Sequence, residues 1–339
     1  MAKLSLFFFC MLLFACNQEQ KTHTDDETII DDEKIKVTKI WDKAPHNAFT
    51  DLIHFNGAFY CSFREGSAHV PGTDGKARIL KSVDGINWES VALIEKEGID
   101  LRDPKISVTP DNRIMVIIGG SDYENGKLLG MYPHVSFSDT SGSHFSEAEK
   151  VSLDPQVEGN RNWIWRVTWN KGIGYGINYG NGSLQLLKTK DGKHFELVSN
   201  LEVDGYPNES TIRFDENDKI HVLIRREKGD QLGLFAHSAP PYTDWNYSKF
   251  NMRLGGPDFI YHDDKILIGS RLYESNGNST AVIIADREGN IQDTIKLPSQ
   301  GDSSYPGMVV SDQTLMFTYY SSHEGKTSIY LAKIPLREI

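Results

Sequence analysis

The chain has 339 residues and a formal net charge of −11 at pH 7, with 36 lysines and arginines against 47 aspartates and glutamates. No basic run interrupts this acidic balance, which argues against nucleic acid or an anionic membrane surface as a partner. The length suits one large domain with a sizeable core, and no linker divides it, so we expect a monomer.

The N-terminus has the pattern of a secretory signal. Lys3 precedes the apolar run LSLFFFCMLLFA, which is too short to cross a membrane, and Cys16 follows it. The tetrapeptide LFAC that ends at Cys16 resembles the bacterial lipobox, in which the cysteine is lipidated. This resemblance implies a signal peptide over residues 1–15, a lipidated acidic tether over residues 16–34, and a location in the cell envelope, either periplasmic or surface-exposed. An ordinary signal peptide is the alternative.

From residue 35 onwards the chain repeats one pattern at intervals of roughly 40–60 residues: a hydrophobic strand, a short turn, a second strand and a polar hairpin. Period-two alternation dominates, and no long segment keeps helical spacing. All-β repeats of this size are typical of propeller blades. We count six blades over residues 35–339, opening near residues 51, 103, 165, 209, 257 and 305. Five blades are the alternative.

The first strand of this region, residues 35–42, has no blade of its own. We predict that it completes the last blade beside the strand 327–334. Such pairing would join the two ends of the chain and close the ring.

Four turns share a second motif. The clear copies are SVDGINW (82–88) and TKDGKHF (189–195), and two worn copies are SDTSGSHF (138–145) and SAPPYTDW (238–245). An aspartate in such a turn can accept hydrogen bonds from turn amides. These motifs resemble the Asp boxes of sialidases, which implies a structural role on the face away from the active site.

In each predicted blade, the start of the inner strand and the end of the next strand lie at the same end of the ring. Arginine forks suit carboxylate ligands, and buried arginines need anionic partners, so the arginines at these positions predict a binding site for an acidic sugar. The alternative is that many of these residues pair with one another. The predicted substrate-binding residues are Arg64, Arg102, Asp103, Arg166, Arg225, Asp258 and Arg271.

Two further segments resemble the sialidase superfamily. Asn208-Glu209-Ser210, followed by two strands that end in Arg225, resembles the family's Asn-Glu-Ser segment, and the segment ending in Tyr305 resembles its Gly-Tyr-Ser segment. The resemblance implies that Tyr305 is the nucleophile, that Glu209 is its base, and that Arg225 and Arg271 hold the substrate carboxylate. It also implies that Asp74, in the loop before the first turn motif, is the acid/base residue.

The family's first triad arginine is absent, because its place reads Phe49-Thr50-Asp51. Arg64 or Arg78 could replace it. The favoured function is a retaining exo-glycosidase of the sialidase type that needs no cofactor or metal. A lyase or hydrolase for uronic-acid polysaccharides and a non-catalytic glycan-binding lipoprotein are the alternatives. Glu209 within hydrogen-bonding distance of the Tyr305 hydroxyl would favour the glycosidase, whereas a rim histidine beside a tyrosine without a carboxylate would favour the lyase.

Overall fold

A computed structural model describes residues 28–30, 35–70, 74–157 and 159–339. These residues form β-strands and one short 3-10 helix, Leu336–Glu338, so the predicted all-β class is confirmed. Within them, no helix has the length and apolar character needed to cross a bilayer. The predicted signal peptide and Cys16 lie outside the described residues and stay predictions. Of the predicted tether only residues 28–30 are described, and they form a strand.

The strands form six sheets, and in each sheet the strands run outwards from an inner strand. Two strands precede the first blade: β1 (Thr28–Ile30) and β2 (Ile35–Trp41). The first blade contains β3 (His46–Phe55), β4 (Ala58–Gly66), β5 (Lys76–Ser82) and β6 (Glu89–Ile94). The second contains β7 (Ile99–Val108), β8 (Ile114–Glu124), β9 (Lys127–Phe137) and β10 (Glu149–Lys150).

The third blade contains β11 (Ser152–Leu153), β12 (Trp163–Asn170), β13 (Ile173–Gly180), β14 (Ser183–Thr189) and β15 (His194–Leu201). The fourth contains β16 (Pro207–Phe214), β17 (Ile220–Arg226), β18 (Leu232–Ser238) and β19 (Asn246–Arg253). The fifth contains β20 (Asp258–His262), β21 (Lys265–Glu274), β22 (Gly277–Asp286) and β23 (Ile291–Leu297). The sixth contains β24 (Ser303–Ser311), β25 (Thr314–Ser321) and β26 (Ser328–Pro335). The prediction of six blades is confirmed, as are their starting points.

The strand β2 completes the last blade, as predicted for residues 35–42. β2 pairs antiparallel with β26, with Val37 opposite Ala332, and β1 adds a further outer strand. The inner strands β24 and β3 lie in contact, and a Cβ added to Gly307 would meet the backbone nitrogen of Leu52 at 2.1 Å. The ring is therefore closed by backbone pairing on its outside and by close backbone packing on its inside.

The core lies between neighbouring blades. One cluster joins Tyr60 and Ile79 of the first blade to Val116 and Ile118 of the second, all fully buried. Further clusters fill the spaces between the other blades. Each buried aliphatic side chain of this kind stabilises the fold by about 1.5–3 kcal/mol relative to an exposed one. The blades thus hold one another in place and fix the inner strands around the axis.

Near their starts, five of the six inner strands break their regular pairing. The shifts occur between Ala48 and Asp51, Arg102 and Lys105, Ile164 and Val167, Asn208 and Ser210, and Ser304 and Gly307. Three residues within them have positive φ, namely Phe49 (67°), Asp103 (46°) and Tyr305 (51°). A β-bulge re-aims the side chain that it contains. The bulges therefore redirect side chains in these five inner strands, at the same end of the ring.

The turn motifs lie at the end of the blades opposite the bulges. Ser82, which begins the first motif, pairs with Phe59, and Phe59 lies just after the turn between β3 and β4. Asp84 accepts hydrogen bonds from the amides of Ile86 and Asn87, both at 2.8 Å. Asp139 and Asp191 accept turn amides in the same way. In the copy at 238–245, Asp244 accepts a hydrogen bond from the hydroxyl of the neighbouring Thr243 at 3.4 Å.

Candidate active site

The redirected side chains meet in a buried cluster centred on Tyr305. Its hydroxyl donates a hydrogen bond to Glu209 Oε1 at 2.6 Å and accepts one from Arg225 Nη1 at 3.2 Å. The Arg225 guanidinium also pairs with the Glu209 carboxylate, and the amide of Gly256 donates to Glu209 Oε2 at 3.0 Å. Residues from the fourth and sixth blades are thus joined through one tyrosine oxygen. The sequence predicted this meeting of Tyr305, Glu209 and Arg225, although it could not supply the distances.

The charges of this cluster set its proton states. Burial raises the pKa of Tyr305 well above its usual value, and the Glu209 carboxylate raises it further, against the opposing effect of Arg225 and Arg271. Burial also pushes the pKa of Glu209 upwards, but Arg225 and the hydrogen bond from Tyr305 outweigh burial and hold that pKa below its usual value. The resting pair is therefore a neutral phenol bonded to a carboxylate that can receive its proton.

Arg271 lies beside this pair. Its Cζ is 5.5 Å from the centre of the Tyr305 ring, and its Nε and Nη2 donate to the Ser303 carbonyl at 2.9 and 2.8 Å. Nη2 also donates to the Tyr320 hydroxyl at 3.2 Å and lies 3.6 Å from Asp302 Oδ1. Arg271 is thus held in position by one edge of its guanidinium group.

Arg102 and Asp103 approach the cluster from the second blade. The Arg102 Cζ lies 5.8 Å from the Phe49 ring and 5.9 Å from the Trp163 ring, and its buried Nε has no hydrogen-bond partner within the described residues. Asp103 is buried, and its Oδ1 is likewise without a partner there. Burial raises the pKa of Asp103, against the opposing charges of Arg102 and Lys105. A partly buried arginine and a buried carboxylate, each with an unpartnered buried atom, are suited to a polar ligand.

Arg166 and Asp258 do not fit the predicted role in substrate binding. Arg166 Nη1 lies 2.5 Å from Asp51 Oδ1 and 3.6 Å from Asp258 Oδ2, and Arg213 pairs with the other oxygen of Asp258 at 2.6 Å. All four residues line a cavity of about 420 Å³ at the opposite mouth of the ring. These residues neutralise one another, so the alternative of mutual pairing holds for Arg166 and Asp258.

Arg64 and Arg78 do not replace the missing triad arginine. Arg64 is 1% exposed; its Nε and Nη2 pair with Asp100 Oδ1 at 2.9 and 2.8 Å, and Nη1 donates to the Ala68 carbonyl. Arg78 pairs with Glu65 at 2.8 Å and lies over the Trp41 ring. Arg64 thus ties the first blade to the second, and Arg78 ties two strands of the first blade together. The predicted substrate contact of Arg64 is therefore not supported, whereas Arg102 lies where a third arginine could serve.

Asp74 also departs from its predicted role. Its side chain is exposed and lines a surface depression together with Lys76, Glu95, Lys96 and Glu97. Within the described residues, no hydrogen bond or ion pair joins Asp74 to Tyr305 or Glu209. The loop that carries it turns this residue outwards, while Gly75 packs against Arg64 and Asp100. Four of the five predicted residues meet, and Asp74 stands apart.

Sequence reasoning missed a cluster of His46, His69 and Asp302 at the edge of the site. Asp302 Oδ2 accepts from His69 Nδ1 at 2.8 Å and from His46 Nε2 at 3.1 Å. By spacing, these three residues could hold a metal ion, since their ligand atoms lie within 4.8 Å of one another. However, Asp302 Oδ1 already accepts from Tyr320 at 2.8 Å and lies near Arg271. The Asp302 carboxylate is thus surrounded by hydrogen-bond donors and the Arg271 cation. These surroundings suit a carboxylate that accepts hydrogen bonds better than one that binds a metal ion.

The fold is similar to several solved structures. A Dyadobacter fermentans protein of unknown function superimposes with a TM-score of 0.75 at 17% identity, over 89% of this chain and 98% of that protein. The NanB sialidase of Streptococcus pneumoniae gives 0.69 at 10% identity, over 88% of this chain and 70% of that one. Trypanosoma rangeli sialidase in complex with the inhibitor DANA gives 0.68 at 10% identity, over 86% and 55%.

The chain thus spans about half the length of the trypanosomal sialidase. No protein-family model and no curated protein matches it. The predicted resemblance to sialidases is confirmed at the level of the six-bladed propeller fold, which is what identities of 10–17% can show. The chemistry has to be argued from the residues of this chain.

Proposed function

We propose that this sialidase-like propeller is an exo-acting, retaining glycosidase that releases a terminal acidic sugar, sialic acid or a related keto-acid sugar, from glycans. The observation that carries the proposal is the buried hydrogen bond of 2.6 Å from the Tyr305 hydroxyl to Glu209. A tyrosine is a weak nucleophile at neutral pH unless a base takes its proton. A glycosidase with such a pair uses tyrosine in place of the usual second carboxylate.

The first chemical step uses this pair directly. Tyr305 attacks the anomeric carbon while Glu209 takes the phenolic proton, and the bond to the leaving oxygen breaks. A neutral nucleophile has a physical advantage with a negatively charged sugar, because a carboxylate in its place would repel the substrate. Attack by water on the tyrosyl intermediate then restores the original configuration, which gives net retention.

Three arginines would recognise the sugar carboxylate: Arg102, Arg225 and Arg271. Arg271 is held by one edge, and Arg102 has a buried Nε without a partner in the described part of the chain. Arg225 is paired at rest with Glu209 and Glu227. A substrate carboxylate that attracts Arg225 would weaken the hold of that guanidinium on Glu209. The pKa of Glu209 would then rise, so binding would make Glu209 a stronger base.

The two alternatives are less favoured. A lyase with a lone tyrosine and a rim histidine does not account for the carboxylate that accepts the Tyr305 proton. A binding protein has no use for a buried phenol, carboxylate and guanidinium in mutual contact, since such a cluster is costly to bury. Asp103 would contact a sugar hydroxyl through its free Oδ1.

The test is a panel of aryl glycosides of sialic acid, its deaminated and shorter keto-acid relatives, and uronic acids. We expect turnover of at least one keto-acid glycoside, with the α or β anomer of the substrate retained in the first product seen by NMR. The first product would be inverted if water attacked directly. An unsaturated uronic acid, detected by its ultraviolet absorbance, would favour the lyase. Binding of the sugars without turnover of any would favour the binding protein.

We also propose that Cys16 carries the lipid that holds the enzyme in the cell envelope, with membrane contact through that lipid alone. Metabolic labelling with a fatty acid should mark the full-length protein, and Cys16→Ser should abolish the label. Persistence of the label in Cys16→Ser would contradict the proposal.

A further inference from the structure

The proposed reaction requires a second acid/base group, because the departing oxygen needs a proton and the later water must lose one. Asp74 is turned outwards among Lys76, Glu95 and Glu97 and cannot serve from there. The inference below rests on the proposed function and concerns which residue carries out this step.

His69 comes from the same loop as Asp74 but faces the site. Its ring packs edge-on against Phe49 with centroids 5.0 Å apart, and Phe49 in turn packs against Tyr305 at 5.1 Å. A positive charge on His69 lowers the pKa of Asp103, which lies deeper in the cluster. The His69 side chain is 45% exposed, whereas Tyr305 is 7% exposed. His69 therefore lies one aromatic ring from the proposed nucleophile, on the side that is open to solvent.

Asp302 fixes the orientation of His69. An ionised carboxylate only accepts hydrogen bonds, so the 2.8 Å contact places a proton on His69 Nδ1. Among the described residues Nε2 has no hydrogen-bond partner, and it is the atom left to exchange protons. Asp302 is itself held by His46, Tyr320 and Arg271. Such a carboxylate also stabilises the imidazolium that forms when Nε2 gains a proton.

We propose that His69 is the acid/base catalyst of this enzyme and that Asp302 is its positioning residue. In the first step His69 Nε2–H gives its proton to the leaving oxygen, as Tyr305 bonds to the anomeric carbon and Glu209 takes the tyrosine proton. In the second step a water attacks the anomeric carbon and gives a proton to His69 Nε2. The bond to Tyr305 breaks, and Glu209 returns its proton to the phenol oxygen, which restores the resting enzyme.

Asp103 is another carboxyl group near the reacting atoms, but its location does not suit this step. It is 7% exposed and lies beside Arg102 and Lys105. In an exo-acting enzyme the leaving group points out of the pocket, so its proton donor must lie towards solvent. The exposure of His69 meets that requirement, and the burial of Asp103 does not.

The kinetic test compares His69→Gln with Asp74→Asn and Asp103→Asn. His144→Gln is the matched control, because His144 is another exposed histidine bonded through Nδ1 to an aspartate, Asp139, but in a turn of the opposite face. His69→Gln should lose about 10²–10⁴-fold in kcat/KM on substrates with a poor alkyl leaving group. It should lose little on a dinitrophenyl glycoside, whose leaving group needs no proton for departure. Azide can attack the tyrosyl intermediate without a general base, so it should accelerate hydrolysis of the dinitrophenyl glycoside by His69→Gln.

Wild-type behaviour of His69→Gln on alkyl glycosides would overturn the assignment, as would the same leaving-group pattern in Asp74→Asn or Asp103→Asn. A readout independent of turnover is the ¹⁵N NMR spectrum of His69. At a pH where the ring is neutral, its single proton should reside on Nδ1 in the wild type, and Asp302→Asn should redistribute it between the two nitrogens. A neutral ring with its proton on Nε2 in the wild type contradicts the dyad. If the wild type turns over no acidic glycoside, the proposed function fails, whatever the spectrum shows.

Discussion

Replacing Tyr305 with phenylalanine removes one hydroxyl from the centre of the site and leaves the ring. The ring keeps its aromatic contacts with Phe49, Trp165 and Tyr320, at centroid distances of 5.1, 5.6 and 5.8 Å. Glu209 keeps the Gly256 amide and the Arg225 guanidinium as partners. The lost hydrogen bond should therefore lower the free energy of unfolding by about 1–2 kcal/mol. In a domain of this size, that is a fall of a few degrees in Tm.

The effect on catalysis should be much larger. A phenyl ring cannot bond to the anomeric carbon, so we expect Tyr305→Phe to lose about 10³-fold or more in kcat/KM, which corresponds to about 4 kcal/mol. The assay is hydrolysis of the best aryl glycoside, measured beside thermal unfolding followed by circular dichroism.

The matched control is Tyr319→Phe. Tyr319 is fully buried, and its hydroxyl donates to the Pro298 carbonyl at 2.8 Å. It packs in the cluster with Phe317 and Tyr330, away from the site. This variant should show a comparable fall in Tm and retain turnover. If Tyr305→Phe loses no more activity than Tyr319→Phe, the hydroxyl is not the nucleophile.

Three further predictions concern recognition, pH and ring closure. Arg102→Ala should raise KM for the acidic substrate by about 10–150-fold, since hydrogen bonds to charged groups contribute about 1.5–3 kcal/mol. Arg78→Ala, the control, should leave KM near the wild-type value. Equal KM values in the two variants would show that Arg102 does not bind the substrate carboxylate. Burial raises the pKa of Asp302, but hydrogen bonds from two histidines outweigh it and hold that pKa well below its usual value. Because the folded state binds this proton more weakly than the unfolded state, the stability that Asp302 contributes is present above about pH 4 and is lost as the pH falls further. Asp302→Asn should therefore flatten the decline in Tm from about pH 5 to 3. An unchanged slope of Tm against pH would contradict this prediction. Gly307→Ala should cost about 3 kcal/mol in urea unfolding, because its Cβ would meet the Leu52 backbone, and an unchanged midpoint would show that the inner strands can separate.

Much of the site could be predicted from sequence because repeats and local motifs carry positional information. The regular repeat identified six blades, and the position of each residue within its blade placed Glu209, Arg225 and Tyr305 at one end of the ring. Asp74 and His69 illustrate where such reasoning ends. Both belong to one loop between β4 and β5, and nothing in the local sequence states which side chain turns towards the axis.

The pairing of charges was equally beyond a linear reading. The sequence predicts substrate contact for Arg64, Arg102 and Arg166 alike, yet Arg64 pairs with Asp100 and Arg166 with Asp51, while Arg102 forms no ion pair within the described residues. The β-bulges decide this, since one extra residue in an inner strand changes the direction in which each later side chain points.

The amino-acid order by itself determined the class of fold, the number of blades and the end of the ring where polar chemistry collects. These depend on hydrophobic periodicity and turn residues, which act over a few neighbours. Only the tertiary structure decided which arginine remains available for an anion and which loop residue stands beside Tyr305. Those outcomes depend on contacts between blades, because a buried charge needs an oppositely charged partner and that partner is distant in sequence.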